Sequence, residues 1–339
     1  MPRIVIELTN RCNLSCLHCY DARHAATGDL SLEILHKVIR EGKACGIDHL
    51  CFTGGEPTLH RHFPDILRDV TEGGYTYSFV TNGMNFPQIY PLLLRYRQGL
   101  QGLTFSLDGA REYTHDAIRG KGSFRRVMRA ATICAVKDLP FTFNMVLTAK
   151  NRDEITEIIR LGSRLGSRGI RFGHLMFNQD SSARGLNLSP QERREAEAEI
   201  FGLQASAPIG VGMGPGYYTE SLLPPCSPLK LEEFNLNYRG HLTLCCQLSG
   251  YAKEDDRGDF VGNLHELTLT EACERFRHRV NRYLADKQAT VRKGELSEVD
   301  HFPCWYCVKY LFKNVSVEKV APLSWNQSDG QILVNPIHV

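Results

Sequence analysis

The chain has 339 residues, with 40 Lys and Arg against 38 Asp and Glu and a formal net charge of +2. That length supports a large core and predicts two domains, and so balanced a charge gives no argument for nucleic acid or an anionic membrane as partner. No apolar run approaches membrane-spanning length, and Ile4-Val5-Ile6 follows Met1 too closely for a cleaved signal peptide, so a cytoplasmic location is expected.

From Arg3 to about Phe177, short apolar runs alternate with helical patterns. Strands are predicted at 4–8, 49–52, 77–80, 103–106, 142–147 and 170–174. Ser31 reads as a helix N-cap with Glu33 in the first turn. Asn151 reads as another, followed by Asp153 and Glu154, and Gly166 or Gly169 ends that helix. This order is that of an α/β protein with a parallel sheet and right-handed crossovers. Ser189-Pro190-Gln191-Glu192 reads as a capping box, opening a charged helix to about Leu203 whose charges are expected on a solvated face. Residues 208–216 alternate glycines without a strand-to-helix context, so a loop is expected and a phosphate cradle is not. The domain boundary is placed here, giving 1–205 and 206–339. Glu254-Asp255-Asp256 reads as an acidic turn, and 267–280 as helical.

Twelve cysteines need an explanation. A disulfide framework is disfavoured in a reducing compartment, and two tight sets with different spacings point to metal. The first set, Cys12, Cys16 and Cys19, has the spacing C-x3-C-x2-C. Three thiolates on one loop can hold three corners of a [4Fe–4S] cube and leave the fourth iron without a protein ligand. Zinc is the alternative, but His18 would have to complete that site from between two ligands. Cys45, Cys51 and Cys134 fall in helix or strand patterns and read as buried core thiols.

The run Asn10-Arg11-Cys12-Asn13-Leu14-Ser15-Cys16-Leu17-His18-Cys19-Tyr20 resembles the cluster loop of radical S-adenosylmethionine (SAM) enzymes. Gly54-Gly55-Glu56-Pro57 and Ser106-Leu107-Asp108-Gly109 each close an apolar run, as that family's SAM-amine and ribose motifs do. Arg119-Gly120-Lys121-Gly122-Ser123-Phe124 is similar to members with an extra C-terminal cluster domain. The resemblance covers roughly the first half of the chain. It implies a partial (β/α)6 TIM-like barrel with a smaller C-terminal iron–sulfur domain, and ligands at the carboxyl ends of the strands. It implies Cys12, Cys16 and Cys19 as cluster ligands and, with Glu56, as the catalytic set. Gly54 and Gly55 would admit the methionine amine and Glu56 would accept from it. Ser106 and Asp108 would meet the ribose hydroxyls or the methionine end, Arg119 the SAM carboxylate, and His18 and Tyr20 would pack near adenine. In that family the SAM-bound cube yields a 5′-deoxyadenosyl radical that takes a hydrogen atom from substrate, and a flavodoxin- or ferredoxin-type reductant is expected.

The last third holds Cys226, Cys245, Cys246, Cys273, Cys304 and Cys307, with a Gly240-x4-Cys245 spacing and a C-x-x-C at 304–307. These are similar to the auxiliary-cluster region of the SPASM/Twitch group, in the shorter Twitch form, since no cysteine follows Cys307. The resemblance implies Cys226, Cys245, Cys304 and Cys307 as ligands of one auxiliary [4Fe–4S] cluster that accepts an electron from the substrate. Zinc fits the same four residues, and Cys246 is an alternative ligand to Cys245. Cys273 reads as buried in a helix. A sharper reading makes Cys246 or Cys273 a hydrogen-atom donor, which would allow epimerisation. The leading function is an oxidoreductase that matures a ribosomal peptide, although no leader-binding domain precedes the first strand. The alternatives are a small-molecule dehydrogenase or epimerase (sugar, aminocyclitol or nucleoside) in natural-product biosynthesis, and a non-enzymatic iron–sulfur or zinc scaffold.

Overall fold

The computed structural model describes residues 2–19, 27–176, 184–221, 226–248 and 258–311. Strand and helix alternate through β1 (Arg3–Thr9), α1 (Leu32–Glu41), β2 (His49–Gly54), α2 (Phe63–Glu72), β3 (Thr76–Thr81) and α3 (Phe86–Arg95). They continue through β4 (Leu100–Ser106), α4 (Glu112–Arg119), α5 (Ser123–Lys137), β5 (Phe141–Leu147), α6 (Ile155–Arg164) and β6 (Gly169–His174). Then come α7 (Pro190–Leu203), β7 (Gly210–Met213), β8 (Glu233–Leu236), β9 (His241–Thr243), β10 (Phe260–Asn263), α8 (Leu269–Arg292) and α9 (Pro303–Leu311). All six strands expected from the sequence are present, each inside a slightly longer one.

One sheet takes them all, in the order β10-β9-β8-β1-β2-β3-β4-β5-β6-β7. From β8 to β7 every pairing is parallel; β9 and β10 reverse. The βα repeats make this a partial barrel. Side chains alternate across each strand with a period of two. Ile4, Ile6, Leu50, Phe52, Tyr77, Phe79, Phe105 and Phe143 face the helices and are fully or almost fully buried. The alternate positions face the lumen and are polar or small. At the strand starts Arg3, His49, Ser78, Thr104 and Thr142 line a cavity of about 530 Å³. At the strand ends Thr53, Val80, Ser106 and Val146 line another of about 240 Å³. A core on one face and a polar lumen on the other leave room inside the barrel for a ligand.

Local signals account for most helix ends. The Ser31 hydroxyl accepts from the Ile34 amide at 3.3 Å, and Ser189 and Glu192 form the reciprocal capping box. Gly166 follows α6 with φ of 77°. Three expectations need correction. Asn151 makes no cap bond, because its amide is spent on the Thr148 amide and on the carbonyls of Asp108 and Val146. Residues 210–213 are a strand, since their amides and carbonyls find a partner in β6. On α7, Arg193 and Glu197 are buried together with Ala196 and Ile200. Their spacing puts them on one helix face, and their opposite charges make its burial tolerable. Cys45, Cys134 and Cys273 lie in the core as expected, whereas Cys51 faces the lumen and is only partly buried. The 254–256 turn lies outside the described residues.

Phe105 is fully buried, with ring centroids of Phe86, Phe141 and Phe143 at 5.1, 5.9 and 6.4 Å. Truncating it removes apolar area and leaves a cavity between α3 and two strands. Phe105→Ala should cost about 3–5 kcal/mol in denaturant unfolding; a loss under about 1 kcal/mol would mean that the barrel wall repacks.

Candidate active site

The cysteine loop leaves β1 and is tied down by backbone contacts. Gly55 and Glu56 donate their amides to the carbonyls of Thr9 and Arg11, each at 2.8 Å. The approach is so close that a Cβ on Gly54 would stand 2.1 Å from the Thr9 oxygen, and one on Gly55 2.1 Å from the Arg11 oxygen. Gly54 also has φ of 131°, which L side chains rarely adopt. These glycines are therefore required by the fit between β2 and the loop. Arg11 grips Asp29 with three bonds and reaches the Leu59 carbonyl. Leu17 is held at both ends, its amide by the Ile118 carbonyl and its own carbonyl by Arg184, each at 2.8 Å.

This anchoring puts Cys12, Cys16 and Cys19 on one wall of the 240 Å³ cavity. His18, Gly54, Gly55, Ser106 and Arg119 form other parts of it. So the loop and residues from three separated motifs line one cavity. Burial pushes the Cys16 thiol up to about 11, against the opposing charge of Arg119. Arg119 Nη1 lies 3.9 Å from Cys16 Sγ.

Two carboxylates are placed behind the cavity wall. Asp108 is fully buried. Its Oδ2 accepts from Arg119 Nε and lies 2.7 Å from His18 Nε2, and its Oδ1 accepts from the Val146 amide at 2.8 Å. Burial opposes its ionisation, but Arg119 and His18 outweigh burial and hold it well below the usual carboxylate range. Glu56 is equally enclosed. It accepts from the hydroxyls of Thr58 and Thr81 at 2.7 and 2.8 Å and from the Asn82 amide at 2.8 Å. Burial pushes its carboxyl up, against these bonds. Both acids thus hold neighbouring residues in place with their oxygens already engaged. Tyr20 lies outside the described residues.

Among the cavity residues that sequence reasoning missed, three carry polar side chains from separate segments. Asn82 Nδ2 lies 3.7 Å from Cys12 Sγ and bonds Asn13 at 2.8 Å. His174 ends β6, and Gln247 comes from the segment after β9. Asn82 and His174 stand at or just beyond predicted strands, so reading the residue at every strand end would have found them.

The second cysteine set gathers round α9. Cys226, Cys304 and Cys307 are each pushed up to about 12, first by burial and then by the charge of another member of the set. Cys304 and Cys226 also act on Cys245, whose contact with Cys246 lowers its pKa while burial raises it. The four expected residues are therefore close enough to feel one another. Tyr283 Oη lies 3.2 Å from Cys307 Sγ, and Cys304 Sγ 3.4 Å from the Pro215 carbonyl. Neither set is drawn to a point: among the described residues no three His, Cys, Asp or Glu side chains are gathered as for a single metal ion. No helix there is long and apolar enough to cross a membrane.

A parallel partial barrel with a three-cysteine loop at its strand ends defines a class, and residues 6–162 match the Radical SAM superfamily. Over that span the chain is similar to that superfamily. It is 34% identical over 171 residues to the AdoMet-dependent heme synthase of Methanosarcina barkeri, covering 49% of this chain and 48% of that one. It is 27% identical over 209 residues to the PqqA peptide cyclase of Ruegeria pomeroyi, covering 60% of this chain and 55% of that one. The chain thus spans about half the length of these curated relatives. The solved structure of native anSMEcpe with bound AdoMet and Cp18Cys peptide shares the fold, with a TM-score of 0.65, 18% identity and 84% of each chain covered.

Gly55→Ala should push the cysteine loop off β2, because the new Cβ has backbone, not a flexible side chain, in its way. Such protein should stay folded by circular dichroism yet fail to retain iron at the N-terminal set. Gly202→Ala, with nothing within 4 Å of its Cβ, should retain it. Equal iron in both variants would show that the close approach is dispensable.

Proposed function

We propose that this chain is a radical SAM enzyme that oxidises a peptide substrate, with a second iron–sulfur site taking up an electron. The observation that supports it best is the composition of the strand-end cavity: three cysteine side chains and no fourth on one wall, with glycine backbone, Ser106 and Arg119 on the others. Cys12, Cys16 and Cys19 would hold a [4Fe–4S] cube, and Cys226, Cys245, Cys304 and Cys307 a second one. When bound, the first cube and SAM together supply one-electron reductive chemistry that ends in hydrogen-atom abstraction. The residues supply placement. Asp108 holds Arg119 through Nε, so that Nη1 reaches Cys16 Sγ and the guanidinium lines the cavity, where it would meet a carboxylate such as that of SAM. Glu56 fixes the Thr81–Asn82 turn, and Asn82 steadies Cys12. Gly54 and Gly55 present backbone where a side chain would block approach. The peptide cyclase relative and the peptide-bound solved structure support a peptide as substrate class.

Anaerobically reconstituted protein should carry about eight irons, and Cys12→Ala/Cys16→Ala/Cys19→Ala about four. Iron near four in both would remove the two-cluster reading. With dithionite and SAM the protein should release 5′-deoxyadenosine slowly without substrate. Asp108→Asn should weaken SAM binding by about 1–3 kcal/mol through loss of Arg119 orientation; unchanged affinity by calorimetry would end that role. Cys304→Ala/Cys307→Ala protein that stays soluble should still cleave SAM but form no oxidised product. Full product yield would show that the second site is outside the electron path.

A further inference from the structure

The charged helix α7 carries a buried ion pair that the cavity above does not use. Arg193 and Glu197 stand one turn apart, each 4% exposed. Arg193 Nε donates to Glu197 Oε1 at 3.2 Å, and Nη2 donates to the Gly216 carbonyl at 2.5 Å. The guanidinium carbon lies 4.6 Å from the centroid of the Phe302 ring, two residues before Cys304. Its remaining nitrogen, Nη1, is buried without a hydrogen-bond partner among the described residues. A buried guanidinium with an unmet donor is unfavourable unless an anion stands near it.

Gly216 links this guanidinium to the Cys304 sulfur. Gly216, whose carbonyl Arg193 holds, has φ of 116°, and a Cβ there would stand 2.8 Å from Cys304 Sγ. Cys304 Sγ lies 3.4 Å from the Pro215 carbonyl, one residue before the Gly216 carbonyl that Arg193 holds. On the other side Glu197 Oε1 lies 3.8 Å from Nδ1 of His174, which lines the N-terminal cavity. The ion pair is therefore wedged between the two cysteine sites, with its cationic end at the second.

We propose that Arg193 is a positioning residue that supplies local positive charge to an iron–sulfur cluster bound by Cys226, Cys245, Cys304 and Cys307, raising its reduction potential, and that Glu197 holds the guanidinium and offsets part of that charge. This rests on the reading of those four cysteines as cluster ligands. Reduction adds a negative charge to the cluster, so a fixed cation favours the reduced form and a fixed anion disfavours it. The two residues must then act with opposite sign.

The test is an EPR-monitored redox titration at pH 8 of protein carrying Cys12→Ala/Cys16→Ala/Cys19→Ala, so that the remaining iron belongs to the second site. Arg193→Met should move the midpoint to lower potential, Arg193→Lys should restore most of the shift, and Glu197→Gln should move it to higher potential. Iron should stay at about four per chain throughout. A purely structural role would change iron content without moving the midpoint. An unmoved midpoint in iron-replete Arg193→Met, or shifts of one sign in both variants, overturns the proposal. If Arg193→Met does not hold iron, Glu197→Gln decides, since it is isosteric and leaves the arginine in place: no upward shift overturns the proposal. If the parent triple variant binds no iron, the cluster reading fails and takes this role with it. Iron bound with an indifferent midpoint removes the role of Arg193 alone.

Discussion

The site depends on a backbone contact, the seating of the β2 end against the loop that leaves β1. Parallel pairing brings Thr9 opposite Gly54 after a register shift between Glu7 and Thr9. Beyond that point the chains remain in contact through the Gly55 and Glu56 amides. At such a separation no Cβ fits, so two glycines are fixed by sterics before any ligand is considered. The consequence runs outward. With the loop seated, Glu56 is carried under the end of β3, where its oxygens gather the donors of Thr58, Thr81 and Asn82. Asn82 then reaches back to Cys12. A contact between main chains thus fixes one thiol through two further side chains.

The fold was legible because its signals are local and repeated. Six apolar runs separated by helical patterns leave few alternatives to a parallel sheet, and Ser31 and Ser189 mark helix starts by hydroxyl chemistry alone. The cavity was legible in part. Cys12, Gly55, Ser106 and Arg119 belong to contiguous motifs, and contiguity is what a sequence displays. Asn82 and His174 come from separate strand ends and Gln247 from the segment after β9, so that they share one cavity only once the sheet curls. Motifs also conceal direction: the sequence shows a carboxylate at 56 and at 108, but not that both turn toward donors of the protein itself. On α7 the pattern misleads, because the buried face is written partly in charges. Arg193 and Glu197 look solvated until each is seen to offset part of the other's cost of burial.

The two cysteine sites meet the same electrostatic difficulty in the same way. A thiolate inside a protein is disfavoured, and burial pushes Cys16 to about 11 and Cys304 to about 12. A metal that replaces the proton must overcome that preference. In both places the chain supplies a buried arginine: Arg119 with Nη1 3.9 Å from Cys16 Sγ, and Arg193 held by the carbonyl of the glycine that touches Cys304. In both places a buried carboxylate holds the arginine, Asp108 at the first and Glu197 at the second. The carboxylate weakens the field that the sulfur feels, so it is not there for charge alone. It engages Nε in each case and fixes the plane of the guanidinium. A guanidinium fixed in this way cannot swing to other carbonyls, and its remaining nitrogens point where the fold directs them. The protein accepts a smaller attraction in return for a set direction, so that little reorganisation is left when a negatively charged group enters.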